Sequence, residues 1–202
     1  MTEKKEQDSS PHEVHQRIRD TYPKPSEHDF IIWSDGSGHN TGHTASSAIV
    51  LNKGTGIKTA RLSACYAQSV HRAEFEGLLL GLNCVLEMGG WDREDAKRSL
   101  DRATNKPRVC WYTDNEALAL SVYRDPDTYE PHYRRKSSGD LWSRLFYYEK
   151  ALRITPIYIP RNSLPEHALA DRLASEASLL LRGYLSAVTL ESSLLNDKTG
   201  EQ

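Results

Sequence analysis

Two short apolar runs, distant from each other in the chain, each end on an aspartate, and this repeated pattern constrains the fold more than any bulk property. The first is Phe30-Ile31-Ile32-Trp33-Ser34-Asp35, stopped by Gly36-Ser37-Gly38; the second is Arg108-Val109-Cys110-Trp111-Tyr112-Thr113-Asp114. Both are rich in β-branched and aromatic residues, which predicts strands. Residues 44–51 and 57–64 are two further strand candidates. The glycines of Asn52-Lys53-Gly54-Thr55-Gly56 between them suit a hairpin turn, so three successive antiparallel strands are expected. From His71 the period changes. Phe75, Leu78, Leu79, Leu82, Val85 and Leu86 recur at helical spacing, and Gly89-Gly90 closes the stripe.

The second aspartate run leads into a short helix at 116–123 and then an exposed loop at 125–139, which holds Pro126, Pro131 and the basic run Arg134-Arg135-Lys136. Leu141, Leu145, Tyr148 and Leu152 mark a helix over 141–152. A fifth strand follows at 154–159, and its Pro156 suits an edge position or a bulge. Ser163-Leu164-Pro165-Glu166 has the pattern of a capping box, opening a last helix through about Leu181. The order is β-β-β-α-β-α-α-β-α, an α/β chain with one mixed sheet and helices on its faces. Residues 1–27 are expected to be a flexible tail, 28–184 a single domain and 185–202 a polar C-terminal tail. Residues 91–107 form an exposed connection or a short added helix.

Composition excludes several classes. With 202 residues and 38% hydrophobic content the chain can bury one ordinary core. No stretch approaches the ~20 apolar residues of a membrane span. The first residues lack the apolar centre of a secretory signal, so a cytoplasmic monomer with no membrane partner is expected. Cys65, Cys84 and Cys110 are too few and too widely spaced for a zinc cage, and their odd number argues against a closed disulfide framework; Cys84 and Cys110 are expected to be buried, inert thiols. Lys and Arg total 26 against 28 Asp and Glu, a net charge of −2, so any contact with a polyanion must come from a local patch.

The chemistry lies in carboxylates. Asp35 and Asp114 each end an apolar strand, where a sheet presents side chains to a crevice. Glu74 opens the first helix and falls at the edge of its apolar stripe, aimed at the sheet. Asp171 lies almost opposite the stripe Leu169, Leu173, Ala177 and Leu180 of the last helix, so the helical wheel does not place it in a site. Clustered carboxylates repel, and hard divalent cations relieve that repulsion; three or four acidic groups without His or Cys favour Mg²⁺ or Mn²⁺ over Zn²⁺. His39, His43 and His71 lie near these positions but suit core or surface roles better than ligation.

Asp35-Gly36-Ser37-Gly38, Arg72-Ala73-Glu74-Phe75, Thr113-Asp114-Asn115 and Ala170-Asp171-Arg172-Leu173-Ala174, in this order, resemble the four acidic motifs of type 1 ribonuclease H. Asp140-Leu141-Trp142-Ser143-Arg144-Leu145 is similar to the helix before that family's fifth strand. The resemblance spans about residues 29–182. It implies a ribonuclease H-like five-stranded mixed sheet, three antiparallel strands then two parallel, flanked by helices. It also implies a Mg²⁺-dependent endonuclease that cleaves the RNA strand of RNA/DNA hybrids with two ions, for which Mn²⁺ can substitute. On that resemblance Asp35 would bridge both ions, Glu74 and Asp114 would hold one, and Asp171 would help hold the other. One ion would orient the attacking water and the other would neutralise the departing 3′ oxygen.

Departures from the family pattern are also legible. Arg161 stands where the family often has a mobile His before the last helix; a guanidinium cannot act as a base but can bind phosphate. Val70 and His71 stand where the family has Asn residues against the hybrid's minor groove. Asn40 is expected to contact a 2′-hydroxyl, and Arg134, Arg135 and Lys136 lie where family members carry a basic substrate-binding protrusion. The alternatives left open are a noncatalytic nucleic-acid-binding module and a DNA nuclease or recombination enzyme on the same fold.

Overall fold

The computed structural model describes residues 27–38, 43–66, 69–91, 106–123, 139–161 and 163–197. Five strands and four helices run in the order β1 (Phe30–Gly38), β2 (His43–Asn52), β3 (Lys58–Tyr66), α1 (Val70–Met88), β4 (Arg108–Thr113), α2 (Glu116–Val122), α3 (Gly139–Ala151), β5 (Arg153–Tyr158) and α4 (Pro165–Asp197). The strands form one sheet in the order β3-β2-β1-β4-β5. The β1–β2 and β2–β3 pairs are antiparallel, whereas β1–β4 and β4–β5 are parallel. The expected mixed sheet is therefore the one observed. β5 is an edge strand, where Pro156 can sit opposite Trp111 without interrupting a second ladder.

β1 is central and buried on both sides, and its alternation divides the core in two. Phe30 and Ile32 face a layer built by Phe75, Leu78 and Leu82 of α1, Leu118 of α2, and Leu141 and Leu145 of α3. Ile31 and Trp33 face Ala170 of α4 on the other side. α1 and α3 are joined at their N-terminal ends. The Arg72 guanidinium grips the Asp140 carboxylate with both terminal nitrogens, the Nη1–Oδ1 distance being 2.9 Å, and holds that carboxyl down at about pKa 2. One turn on, Phe75 meets Trp142 edge-to-face at 4.5 Å.

Glycine sets how closely α1 can lie on β1. A Cβ on Gly36 would meet the backbone nitrogen of Glu74 at 2.2 Å, and one on Gly77 would meet the carbonyl oxygens of Asp35 and Ser47 at 3.0 and 3.1 Å. Backbone therefore packs on backbone, and the start of α1 is pinned against the strand that carries Asp35. The helix is nucleated by Ser69, whose side chain accepts from Arg72 N at 3.2 Å.

The last helix departs from expectation in three ways. It continues past Leu181 to Asp197, so residues 185–197 of the expected polar tail are helical. Gly183 lowers helix propensity by only about 1 kcal/mol and no proline follows it. The Ser163 N–H goes to the Pro160 carbonyl, and Glu166 accepts from Lys58 Nζ at 2.9 Å instead of folding back as a capping box. Third, the seam against the sheet is not the leucine stripe. Leu180 is 75% exposed, while His167, Ala170, Ala174 and Ser178 are buried. Small residues let the helix settle on β2, where Ser47 Oγ donates to the Ala170 carbonyl at 2.6 Å and Ser178 Oγ donates to the His43 carbonyl at 3.1 Å. No described helix is long and apolar enough to cross a membrane.

The Gly36 contact yields a test of the packing. Gly36→Ala forces α1 off β1, an overpacking of backbone that is expected to cost about 3 kcal/mol or more. Urea denaturation of the variant checks this; an unchanged midpoint would contradict the packing described.

Candidate active site

The register of the parallel pair builds the centre of the site. Trp33 lies beside Tyr112, so two residues further along each strand Asp35 comes level with Asp114. β4 ends at Thr113 while β1 runs on to Gly38, and the two carboxylates meet where the shorter strand stops. Asp114 is held from behind. Asn115 caps α2 by accepting from Leu118 N at 2.9 Å, and its own N–H donates to Thr113 Oγ1 at 3.1 Å. Glu74 is only 8% exposed, as the wheel of α1 predicts, and faces Asp35 across the Gly36 contact.

Asp171 enters from α4, correcting the wheel reading: the helix turns its small-residue seam to the sheet, and Asp171 flanks that seam beside Ala170 and Ala174. Its carboxylate lies against Asp35 and accepts from Arg161 Nη2 at 2.6 Å, and Arg161 Nε stands 4.0 Å from Asp114 Oδ2. All four expected carboxylates are thus brought together, with Arg161 across the mouth. Asn40, Arg134, Arg135 and Lys136 lie outside the described residues.

His167 is the member that sequence reasoning missed. It is fully buried, and its Nε2 is 3.7 Å from Asp114 Oδ1, beyond hydrogen-bonding distance. A donor atom from each of Asp35, Asp114 and His167 lies within 4.8 Å of the others. The available signal was spacing: His167 and Asp171 are four apart and so share one helix face. Centring the wheel on the leucines placed Asp171 on the wrong side and left His167 unread.

The cluster is electrostatically strained. Burial, then the neighbouring Asp114 and Asp171, push the Asp35 carboxyl up to about 7. Burial, then Asp35 and Asp114, raise Glu74 further still. Burial also works on Asp171, but hydrogen bonding to Arg161 and the charge of Arg161 outweigh it and hold that carboxyl below its usual range. His167 is pushed down by burial, against the pull of Asp114 and Asp171, and so favours the neutral imidazole. Asp35 Oδ2, Glu74 Oε2 and both ring nitrogens of His167 are buried without a hydrogen-bond partner. Buried polar atoms are normally satisfied. A set of carboxylate oxygens and one neutral imidazole, several of them orphaned, fits a divalent cation.

No protein-family model matches the chain, and no curated protein matches it in sequence. The solved structures do. LC11-RNase H1, isolated from compost and determined with an RNA/DNA hybrid, aligns with a TM-score of 0.55 at 14% identity, over 74% of this chain and 99% of that one. RNase H1 of the halophilic archaeon Halobacterium salinarum aligns at 0.51 and 16% identity, over 73% and 96%. The foamy viral protease-reverse transcriptase determined with double-stranded DNA aligns at 0.53 and 14%, over 78% and 98%. The chain has the ribonuclease H-like fold.

Burial, and then mutual repulsion, make the carboxylates a cost to the metal-free protein. A carboxyl raised from 3.8 to about 7 keeps its proton in the folded state over a pH range where the unfolded chain has lost it. Stability therefore falls as pH rises from about 4 to 7. Asp35→Asn removes this loss. In the presence of chelator at pH 8 the variant is expected to be more stable than the parent by on the order of 2 kcal/mol, a rise of several degrees in Tm; at pH 4 the difference vanishes. Melting curves at the two pH values check both sign and window.

Proposed function

We propose that this chain is a metal-dependent endonuclease that hydrolyses the RNA strand of RNA/DNA hybrids. The observation that carries the reading is the convergence of Asp35, Glu74, Asp114 and Asp171 on one crevice at the end of the parallel β1–β4 pair, on a ribonuclease H-like fold. In this reading Asp35 is the shared ligand, since it lies against both Glu74 and Asp171 and stands level with Asp114. Glu74 and Asp114 would hold one divalent ion with it, and Asp171 would help to hold a second. Bound ions supply activation of the attacking water and neutralisation of the leaving 3′ oxygen.

The protein's own part is placement. The Gly36 contact holds Glu74 against Asp35, and the Asn115 cap fixes the strand end that carries Asp114. Such backbone anchoring holds four carboxyl groups in reach of one another before any cation arrives. Arg161 is 68% exposed while touching Asp171, so a backbone phosphate entering the crevice can take over its guanidinium as a bidentate partner. That exchange frees Asp171 as substrate binds. Arg161 cannot accept a proton at neutral pH and serves as an anion-binding group only.

A panel of matched hybrid, duplex RNA, duplex DNA and single strands, incubated with Mg²⁺, Mn²⁺ or chelator, tests the reading. Cleavage confined to the RNA of the hybrid and abolished by chelator is the expected result. Asp35→Asn and Asp114→Asn are each expected to lower the rate by ~10³-fold or more with the fold retained. Full activity in both variants would sink the assignment, and hybrid binding without cleavage would point to a binding module.

A further inference from the structure

His167 is poorly explained as a packing residue. It is fully buried beside the carboxylate cluster, yet neither ring nitrogen has a hydrogen-bond partner. An aliphatic or aromatic side chain would fill the same space on the α4 seam without stranding two polar atoms, which are costly to bury. The orphaned imidazole is aimed at carboxylates: Nε2 stands 3.7 Å from Asp114 Oδ1, and a ring nitrogen and one oxygen from each of Asp35 and Asp114 lie within 4.8 Å of one another. Two ligands of a single ion, at bonds of ~2.1 Å, stand roughly 3 to 4 Å apart. The His167–Asp114 pair has that spacing, and the Asp35 oxygen lies within 4.8 Å of both.

We propose that His167 is a direct ligand of the divalent ion held between Asp35 and Asp114, giving the centre one nitrogen donor and a preference for Mn²⁺ or Co²⁺ over Mg²⁺. The inference rests on the reading of this crevice as a metal centre, and adds to it the ligand set and the metal preference. Mg²⁺ takes oxygen donors and gains little from an imidazole, whereas later first-row ions bind imidazole well. Helix geometry also suits the role: His167 and Asp171 are one turn apart on α4, so the same helix face serves both the Asp114 side of the crevice and the Arg161 side.

The test uses the full chain, with the metal alone as probe. Mn²⁺ and Mg²⁺ affinities are measured by calorimetry for the parent and for His167→Phe, and pulsed electron spin resonance of bound Mn²⁺ reports nitrogen in its coordination shell. In the parent, histidine nitrogen coupling is expected. In His167→Phe that coupling disappears, Mn²⁺ affinity falls by at least ~10-fold to 100-fold, and Mg²⁺ affinity changes far less, so the Mn²⁺/Mg²⁺ selectivity collapses. Mn²⁺ bound to the parent without nitrogen coupling, or bound equally well by the variant, overturns the ligand assignment and leaves the nuclease reading standing. Failure of the parent to bind either ion overturns both. If His167→Phe does not fold, the nitrogen coupling of the parent decides the question alone.

Discussion

The parallel pairing of β1 with β4 is the contact on which the rest of the molecule depends. It joins the antiparallel half of the sheet to the parallel half, and its register brings Asp35 level with Asp114 although 78 intervening residues separate them in sequence. A slip of either strand by one residue would turn its aspartate to the opposite face of the sheet. The pairing is secured from both sides. Trp111 Nε1 donates to Ser34 Oγ at 2.8 Å on the α1 face, and Trp33 stacks with Tyr112 at 6.0 Å on the α4 face. The apolar strands thus perform two tasks, filling the core and aligning the charges at their ends.

That alignment sets stability against binding. Carboxylates buried beside one another favour protons, as the raised pKa values of Asp35 and Glu74 record. Close backbone packing at Gly36 and the Asn115 cap hold them together against this repulsion, and Arg161 neutralises part of it at the mouth. Such stored repulsion would be released by a bound cation, so metal affinity would be drawn from the packing energy of the fold.

Strands, their antiparallel start and the long first helix were all legible because their signals are local. A hairpin turn between apolar runs, a leucine stripe at helical spacing and a glycine pair after it need no knowledge of distant residues. Glu74 was legible for the same reason, since its position on the α1 stripe alone aims it at the sheet. The last helix misled because its leucines are not its buried face: Leu180 lies in solvent while Ala170 and Ala174 pack on the sheet. Hydrophobicity identifies the inner face of a helix only where large side chains fill the gap; where backbone approaches backbone, small residues are selected instead.

The chain's own residues determined the list of ingredients: two strand-end aspartates, a glutamate on a helix stripe, an acid on the last helix, and the order of elements that carries them. Only the tertiary structure decided which of these meet, that Arg161 closes on Asp171, and that His167 stands buried beside Asp114 with its nitrogens unpaired. The physical reason is that register, helix rotation and desolvation are properties of packed pairs of elements. None of them is encoded in a single segment, and each changes the chemistry of a carboxylate or an imidazole by more than its neighbours in sequence can.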